Sequence, residues 1–473
     1  MMAKLDESLA LFRDTVLDCI KAKRSITVLT HIDCDGLTSG SIISKALFRA
    51  GAKCTLRVAK EFGKTTAESL KKDARDFHIV TDLGGGFAND MDKRLGRNWF
   101  ILDHHQIPDE EIENQRVINA WKYGIDGGAE ICAGGMAYLA AKSLDDKNSD
   151  LSAVAVVSAL GDRQDRGEKK SFVGKNIEIA NTAKEEGLLE MDLDLLLVGR
   201  ETRALADALA FTSQPFIDGL TWNRDVCLSL MNSSGVQLKE GGRWRVPAEL
   251  DENEKRAVIE AITKFASGKN ATEIMSDMIG YTYTFPTEDR RSFLRDGREF
   301  STMLNSCGRI SRSGVGMAIC MGDRNKILLE GENILMEYRK TIRGLMNRIT
   351  NERWRISESN TCVMVNGEGV IPETMTGTIS SLIAGAPKNA GKIVILRTNS
   401  EENTIKFSSR KSHSCKSGIN LSDLMKAGAE RFDGVGGGHD AAAGAKITKD
   451  KLDGFLDYLE VNVINVQGSD SAK

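Results

Sequence analysis

The stretch SITVLTHIDCDG, residues 25–36, decides the fold. Ser25 to Thr30 is a short run rich in β-branched side chains and reads as a buried strand. His31, Ile32, Asp33, Cys34, Asp35 and Gly36 follow directly, where the chain leaves the sheet. Helical spacing then runs from Thr38 to Ala50, ended by Gly51. Lys53 to Val58 reads as the next strand and Thr66 to Arg75 as a polar helix, and His78–Thr81 and Trp99–Leu102 are two further short strands. Strands alternating with helices predict an α/β fold, a parallel sheet with helices on both faces. Ligand sites in such sheets lie beyond the carboxyl ends of the strands.

Those ends carry the chemistry. If the chain stays extended past Thr30, His31, Asp33 and Asp35 share one side, and Gly36 lets the backbone turn into the helix. A plain Asp cap is the simpler reading, but one cap needs one acceptor, not two carboxylates and an imidazole. Asp82 ends the next strand, before Gly84, Gly85 and Gly86, which allow close approach of a phosphate or make an ordinary turn. Asp103, His104 and His105 end a third strand. Neutral imidazole is a common metal ligand. Asp162 projects from the end of the apolar helix Leu151–Leu160, where a carboxylate opposes the helix dipole and a cation would relieve the conflict. Together Asp33, Asp35, Asp82, Asp162, His31 and His104 lie at one edge of one sheet. Mixed carboxylate and imidazole donors without cysteine suit Mn²⁺ or Mg²⁺ better than structural zinc, and their number suffices for two ions. Such a centre, ~4 Å between ions, can activate water and neutralise a phosphoryl transition state.

From Thr361 a second α/β module begins: strands TCVMVN, KIVILR and TIKFSS, then a helix near Asn420 to Phe432. Gly436, Gly437, Gly438 and His439 offer backbone and ring donors for a phosphate, with a flexible loop as the alternative. Arg410 is a second candidate phosphate contact. Between the modules, Ile334, Tyr338, Ile342, Leu345 and Ile349 predict one long helix over Asn333–Trp354, with Arg339, Lys340, Arg343 and Arg348 on its other face. Arg290, Arg291, Arg295 and Arg298 crowd near Tyr281, Tyr283, Phe285 and Phe293. They read as a single-strand binding surface, a partner-docking surface, or an ion-paired exterior with the aromatics in the core.

The chain has 473 residues, which suggests about three domains. Hydrophobic residues make up 41% and charged residues 28%, as in globular proteins. No apolar run approaches the roughly 18 residues of a membrane span, and the N-terminal stretch reads as an amphipathic helix rather than a signal peptide. The cysteines number nine, an odd count, with no CxxC pair. A disulfide framework is not expected and a reducing cytoplasm is the expected home. The net charge of −3 leaves nucleic acid open as a partner, because a groove needs only local basic charge.

These motifs, in this order, resemble the DHH phosphoesterase superfamily. Asp103-His104-His105 matches its name motif, and Gly436-Gly437-Gly438-His439 matches the signature of the associated DHHA1 domain. The stretch Leu294–Arg309, followed by GVGMAICMGD, is similar to archaeal RecJ-like proteins of the GINS-associated nuclease type, relatives of a eukaryotic replicative-helicase subunit. The resemblance implies an N-terminal DHH domain over 1–204, a middle domain and linker helix over 205–356, and a DHHA1 substrate-binding domain over 357–473. It implies an exonuclease in replication or repair, dependent on Mn²⁺ (two ions) or Mg²⁺, acting on single-stranded DNA or RNA. It assigns His31, Asp33, Asp35, Asp82, His104 and Asp162 as metal ligands, Asp82 bridging. His105 is assigned to phosphate or electrophilic work, Asp103 to orienting a histidine, and Arg410, Gly436–Gly438 and His439 to gripping substrate. Asp165 orients a ligand or pairs with an Arg. Two other functions compete: a replication scaffold binding a GINS-like partner, and a small-molecule or short-oligonucleotide phosphoesterase.

Overall fold

Five strands form the first sheet: β1 (Ser25–His31), β2 (Lys53–Ala59), β3 (Phe77–Thr81), β4 (Trp99–Asp103) and β5 (Val117–Asn119). All pair in parallel, in the order β2-β1-β3-β4-β5. Strands β3 and β4 are buried along their whole length, which is why they read as apolar runs rather than alternating ones. One face packs on α1 (Met2–Lys21), α2 (Cys34–Arg49) and the helix Ala133–Leu144, through Phe12, Ile43, Phe100 and Met136. The other face carries the helices Lys64–Lys71 and Ala88–Leu95, through Leu70, Met91, Trp99 and Ile101. The α/β architecture with both faces covered is the one the sequence predicts.

The chain leaves β1 toward β2 on one side and returns to β3 on the other. The strand order therefore reverses between β1 and β3, and the carboxyl ends of those two strands flank a crevice.

This is a computed structural model that describes residues 2–71, 76–107, 114–266, 271–412 and 414–464. The last four residues expected in the Thr66–Arg75 helix, 72–75, lie outside the described residues, as does the polar tail 468–473. The chain divides into two units, Met1–Leu335 and Met336–Lys473.

Within the first unit, the strand Glu190–Leu195 pairs antiparallel with Ile279–Thr284. Tyr283 and Phe285 are buried there in a core with Phe172, Leu294 and Phe300, so the aromatics of this region serve packing. Three of the four nearby arginines are engaged. Arg291 reaches Glu249 at 2.6 Å, Arg298 reaches Asp165 at 2.7 Å, and Arg295 donates to the Glu288 carbonyl at 2.6 Å. The pairing and packing are those of an ion-paired exterior over an aromatic core, one of the readings offered for this cluster. The long helix runs Lys326–Asn351. Ile334, Tyr338 and Ile349 are buried, and Lys340, Arg343 and Arg348 are exposed.

The second unit holds a mixed six-stranded sheet. Its spatial order is Ile356–Glu358, Cys362–Asn366, Ile393–Ser400, Thr404–Lys411, Ala442–Thr448 and Val435–His439. The helices Leu421–Arg431 and Leu452–Leu459 pack on one face through Met425, Phe407, Phe455 and Ile447.

Candidate metal centre

The segment after β1 departs from the extended reading. The helix α2 begins at Cys34, not Thr38, because Asp33 is its N-cap and accepts from the Gly36 N–H at 3.1 Å. His31 and Asp33 converge through this tight strand-to-helix turn, and Asp35 lies in the first helical turn. Gly36 is required for close approach rather than for turning, since a Cβ there would collide with the His31 carbonyl.

A brace comes from far along the chain. Asn305, on the helix Gly297–Arg309, accepts the Cys34 N–H at 3.0 Å. Gly308 of the same helix lies so close to the Ile32 carbonyl that no side chain fits. The Cys34 thiol, between two acids, turns away and donates to the Val157 carbonyl at 3.6 Å, and burial pushes its pKa well up. It is no competitor for a hard cation.

Asp82 follows β3 with φ +59°, a left-handed conformation that few non-glycine residues adopt. This twist turns a buried carboxylate, 2% exposed, into the crevice. Its Oδ2 is 3.5 Å from His31 Nδ1, and its Oδ1 is 3.5 Å from His104 Nε2. His31 Nδ1 also lies 3.0 Å from Asp33 Oδ2. His104 Nε2 lies 3.2 Å from Asp35 Oδ2. The other ring nitrogen of His104, Nδ1, is 2.6 Å from the Gly127 carbonyl, and Asp162 Oδ2 is 3.9 Å from it. Donation from Nδ1–H to that carbonyl leaves Nε2 as the ring nitrogen that would present a lone pair to an ion once its proton is displaced. Asp162 caps the end of the helix Ser152–Gly161, as its place in the sequence predicts, and is steadied by Gln164 Nε2 at 2.8 Å.

Asp103 has its lone pairs occupied by protein donors. Oδ1 accepts from the His104 N–H at 2.8 Å, the His105 N–H at 3.2 Å and His105 Nδ1 at 2.9 Å, and Oδ2 accepts from the Gly85 N–H at 3.1 Å. The glycines after Asp82 thus bring backbone close to this carboxylate. The ring of His105 is 48% exposed. Asp165 pairs with Arg298 at 2.7 Å.

The electrostatics is that of a site short of positive charge. Burial pushes the Asp35 carboxyl up to about 7, with Asp82 adding to the shift, although the Ala133 and Gly134 N–H groups and the Ser158 hydroxyl all donate to it. Burial likewise raises Asp162, with Asp82 and Asp33 contributing. Burial opposes charge on His31, yet Asp33 and Asp82 outweigh it and carry His31 up to about 10. His104 is driven well above the ordinary histidine range by Asp82, Asp162 and Asp35, again against burial. Asp33 is held well below the carboxylate range; burial opposes this, and His31 and Arg309 bring it about.

The residues present fit divalent ions. Asp82 Oδ2 is buried with no hydrogen-bond donor. Ligand atoms of His31, Asp33 and Asp82 gather within 4.8 Å of one another, as do those of Asp35, His104 and Asp162, and those of Asp82, Asp103, His104 and His105. Six nitrogen and oxygen donors on two adjoining groups, with Asp82 against both, match the chemistry of hard cations.

The second unit carries its own candidate surface. Val435–His439 is an edge strand, not a loop, pairing with Ala442–Thr448. Gly436 is needed because a Cβ there would strike the Met425 carbonyl. In register, His439 faces Ala442, and Ala442 faces Arg410 on the next strand, so both basic residues lie in one cross-strand row on one face. Arg410 is positioned by Ser381 Oγ at 3.1 Å and the Ser409 carbonyl at 2.7 Å.

Several participants escaped the sequence reading: Asn305, Ser158, Gln164, and the N–H groups of Ala133 and Gly134. Cys132-Ala-Gly-Gly135 did carry a signal, a small-residue helix start able to approach a carboxylate closely.

The fold and this cluster define a class: a doubly wound α/β domain with a carboxylate–imidazole centre at its switch point, followed by a second sheet unit. Family models match in three places. They are the DHH family N-terminal domain over residues 25–161, the DHH-CID domain over 197–279 and the DHHA1 domain over 360–464. An uncharacterized protein of Methanocaldococcus jannaschii is 30% identical over 443 residues, 92% of each chain. The chain belongs to the DHH family. Among solved structures it resembles CDC45 from Entamoeba histolytica, with a TM-score of 0.61, 13% identity, and coverage of 96% of this chain and 98% of that one. It also resembles RecJ in complex with Mn²⁺ from Thermus thermophilus, with a TM-score of 0.59, 13% identity, and coverage of 96% of this chain but 54% of that one. No helix among the described residues is long and apolar enough to cross a membrane.

Proposed function

We propose that this protein is a divalent-metal-dependent exonuclease that hydrolyses phosphodiester bonds of single-stranded DNA or RNA to nucleoside monophosphates. The observation that carries this reading is the buried Asp82 oxygen without a donor, set against two groups of ligand atoms. In this reading His31, Asp33 and Asp82 hold one ion and Asp35, His104 and Asp162 the other, with Asp82 shared. Mn²⁺ fits these donors, and Mg²⁺ is the second choice. When bound, the ions supply a hydroxide-like nucleophile at neutral pH and offset charge on the phosphate. His105, half exposed and oriented by Asp103, contacts the scissile phosphate. Arg410, His439 and the backbone of Gly436–Gly438 grip the substrate, guanidinium and imidazole both matching phosphate oxygens. Residues 1–204 form the metal-binding domain, 205–356 a middle domain, and 357–473 the substrate-binding domain.

The test is the purified protein with Mn²⁺ on 5′- and 3′-labelled single strands of DNA and RNA. Mononucleotide release that stops with EDTA and returns with Mn²⁺ is expected. Absence of hydrolysis on every strand and on dinucleotides would sink the reading in favour of a replication scaffold for a GINS-like partner.

A further inference from the structure

The second unit has a cavity on the side of its sheet away from the Arg410–His439 row. It holds about 180 Å³ and is lined by Trp354, Arg355, Met364, Asn366, Ile395, Arg397 and Phe407, among others. Its place on the opposite face follows from register. Val394 pairs with Arg410 and so shares that residue's face, and Arg397, three residues further along the same strand, projects to the other side.

The indole of Trp354 is 69% exposed, unusually open for a tryptophan. One of its faces is backed by the Arg355 guanidinium, whose carbon lies 4.2 Å from the ring centroid. That guanidinium is itself locked. Arg355 is only 8% exposed, and it donates to Glu352 Oε2 at 2.5 Å and to the Asn366 and Glu368 carbonyls at 3.1 and 3.0 Å. The ring is thus a platform held on one face and open on the other.

The polar groups left over at this cavity are mostly donors. Arg397 engages Glu368 through Nε at 2.9 Å, which leaves both Nη amines without a partner among the described residues. Arg355 leaves Nη2. Asn366 spends its Oδ1 on the Glu368 N–H at 3.0 Å and leaves its amide NH₂. Met364, Ile395 and Phe407 supply an apolar floor. A flat ring above surplus donors asks for a ligand that carries both an aromatic face and oxyanion oxygens.

We infer that this cavity binds one nucleotide unit of a single strand, its base stacked on Trp354 and its phosphate held by Arg397 and Asn366. A strand suits the site better than a free nucleotide, because about 180 Å³ is below the ~300 Å³ of pockets that enclose a small molecule, so the ligand continues outside. Each guanidinium already has a carboxylate partner, Glu352 or Glu368. Stacking and directed donors therefore carry the binding, and net charge adds little. This inference rests on the proposal that the protein acts on single strands.

The test uses the full-length protein in EDTA, which prevents cleavage, with a fluorescent 12-nucleotide single strand followed by anisotropy. Trp354→Ala should bind about 5- to 150-fold more weakly, the range for loss of one stacked base. Trp354→Phe, which keeps a ring, should stay close to the parent. The slope of log K against log salt should change by less than the ~0.7 of one phosphate contact in Trp354→Ala. Unchanged affinity in Trp354→Ala overturns the inference, as does a Phe variant as weak as the Ala variant. Binding of 5′-AMP that depends on Trp354 while strand binding does not would also overturn it, pointing to a free nucleotide. Thermal unfolding confirms that each variant folds. Hydrolysis of a dinucleotide in Mn²⁺ is a separate readout: its absence in the parent counts against the proposed activity, whereas the anisotropy result decides the cavity.

Discussion

Asp82→Asn is the perturbation that separates a metal-bearing carboxylate from a structural one. The substitution keeps size and shape. Asparagine tolerates the φ of +59° that the backbone adopts there, so the fold has no steric reason to fail. In the absence of metal two electrostatic changes oppose each other. His31 and His104, each 3.5 Å from an Asp82 oxygen, lose a partner. Asp35 loses one of the neighbours that hold its carboxyl up at about 7. The net change in EDTA should stay within ~1 kcal/mol. With metal the contrast is large. Mn²⁺ at 100 times its dissociation constant stabilises the parent by ~2.7 kcal/mol per site, and a kilocalorie moves the midpoint by roughly 2–4 °C in a domain of 150–250 residues. With two such sites, ~5.4 kcal/mol together, the parent should gain roughly 10–20 °C on adding Mn²⁺, and Asp82→Asn little or nothing. Hydrolysis should fall by at least ~10²–10³-fold, the scale of losing one electrostatic stabiliser of a transition state. Thermal unfolding with and without Mn²⁺, beside a strand-hydrolysis assay, reads all three quantities. A variant that keeps both the Mn²⁺ shift and the rate refutes the two-ion assignment, and one that is unfolded in EDTA makes Asp82 a folding residue.

Three further outcomes are expected. Because the Asp35 carboxyl stands at about 7 in the folded chain against ~3.9 unfolded, metal-free stability should fall as pH rises from about 4 to about 7, and Mn²⁺ affinity should rise over the same window as the carboxylate forms. Calorimetry at pH 7 in buffers of different ionisation heat should then show net proton release on Mn²⁺ binding, and zero release would contradict the ligand set. Gly36→Ala drives a methyl into the His31 carbonyl and should cost ~1–3 kcal/mol in denaturant unfolding, together with Mn²⁺ affinity. Asn305→Ala should remove ~1 kcal/mol and weaken Mn²⁺ binding without touching an ion, while Asn305→Asp, which restores the acceptor, recovers stability; equal Mn²⁺ affinity in parent and Ala variant would reduce Asn305 to packing.

The sheet was legible because β3 and β4 are buried along their whole length and so consist of short, mostly apolar runs that lead directly into acids. The candidate ligands were legible for the same reason, since a histidine or aspartate directly after such a run has nowhere to go but the carboxyl edge. The start of α2 was misread, because Asp33 serves at once as cap and crevice acid, and its second support, Asn305, is remote in sequence. The local geometry of the glycines was not legible. Gly85 donates its N–H to Asp103, and Gly436–Gly438 form a strand, not a loop, against glycine's own propensity, held there by pairing with Ala442–Thr448 and by contact with Met425. A backbone donor such as the Gly134 N–H is signalled only by the small residues around it, because nearly every residue carries an N–H.

The bond from the Cys34 N–H to Asn305 spans 271 positions of chain. At synthesis rates of ~5–20 residues per second, roughly 15–55 s separate the emergence of the acids at 33 and 35 from that of the residue that steadies their turn. For that interval the turn carrying the acids at 33 and 35 lacks the side chain that braces it. Docking of the helix Gly297–Arg309 against Ile32 completes that turn, so the geometry of the crevice acids is settled only by a segment made long after them.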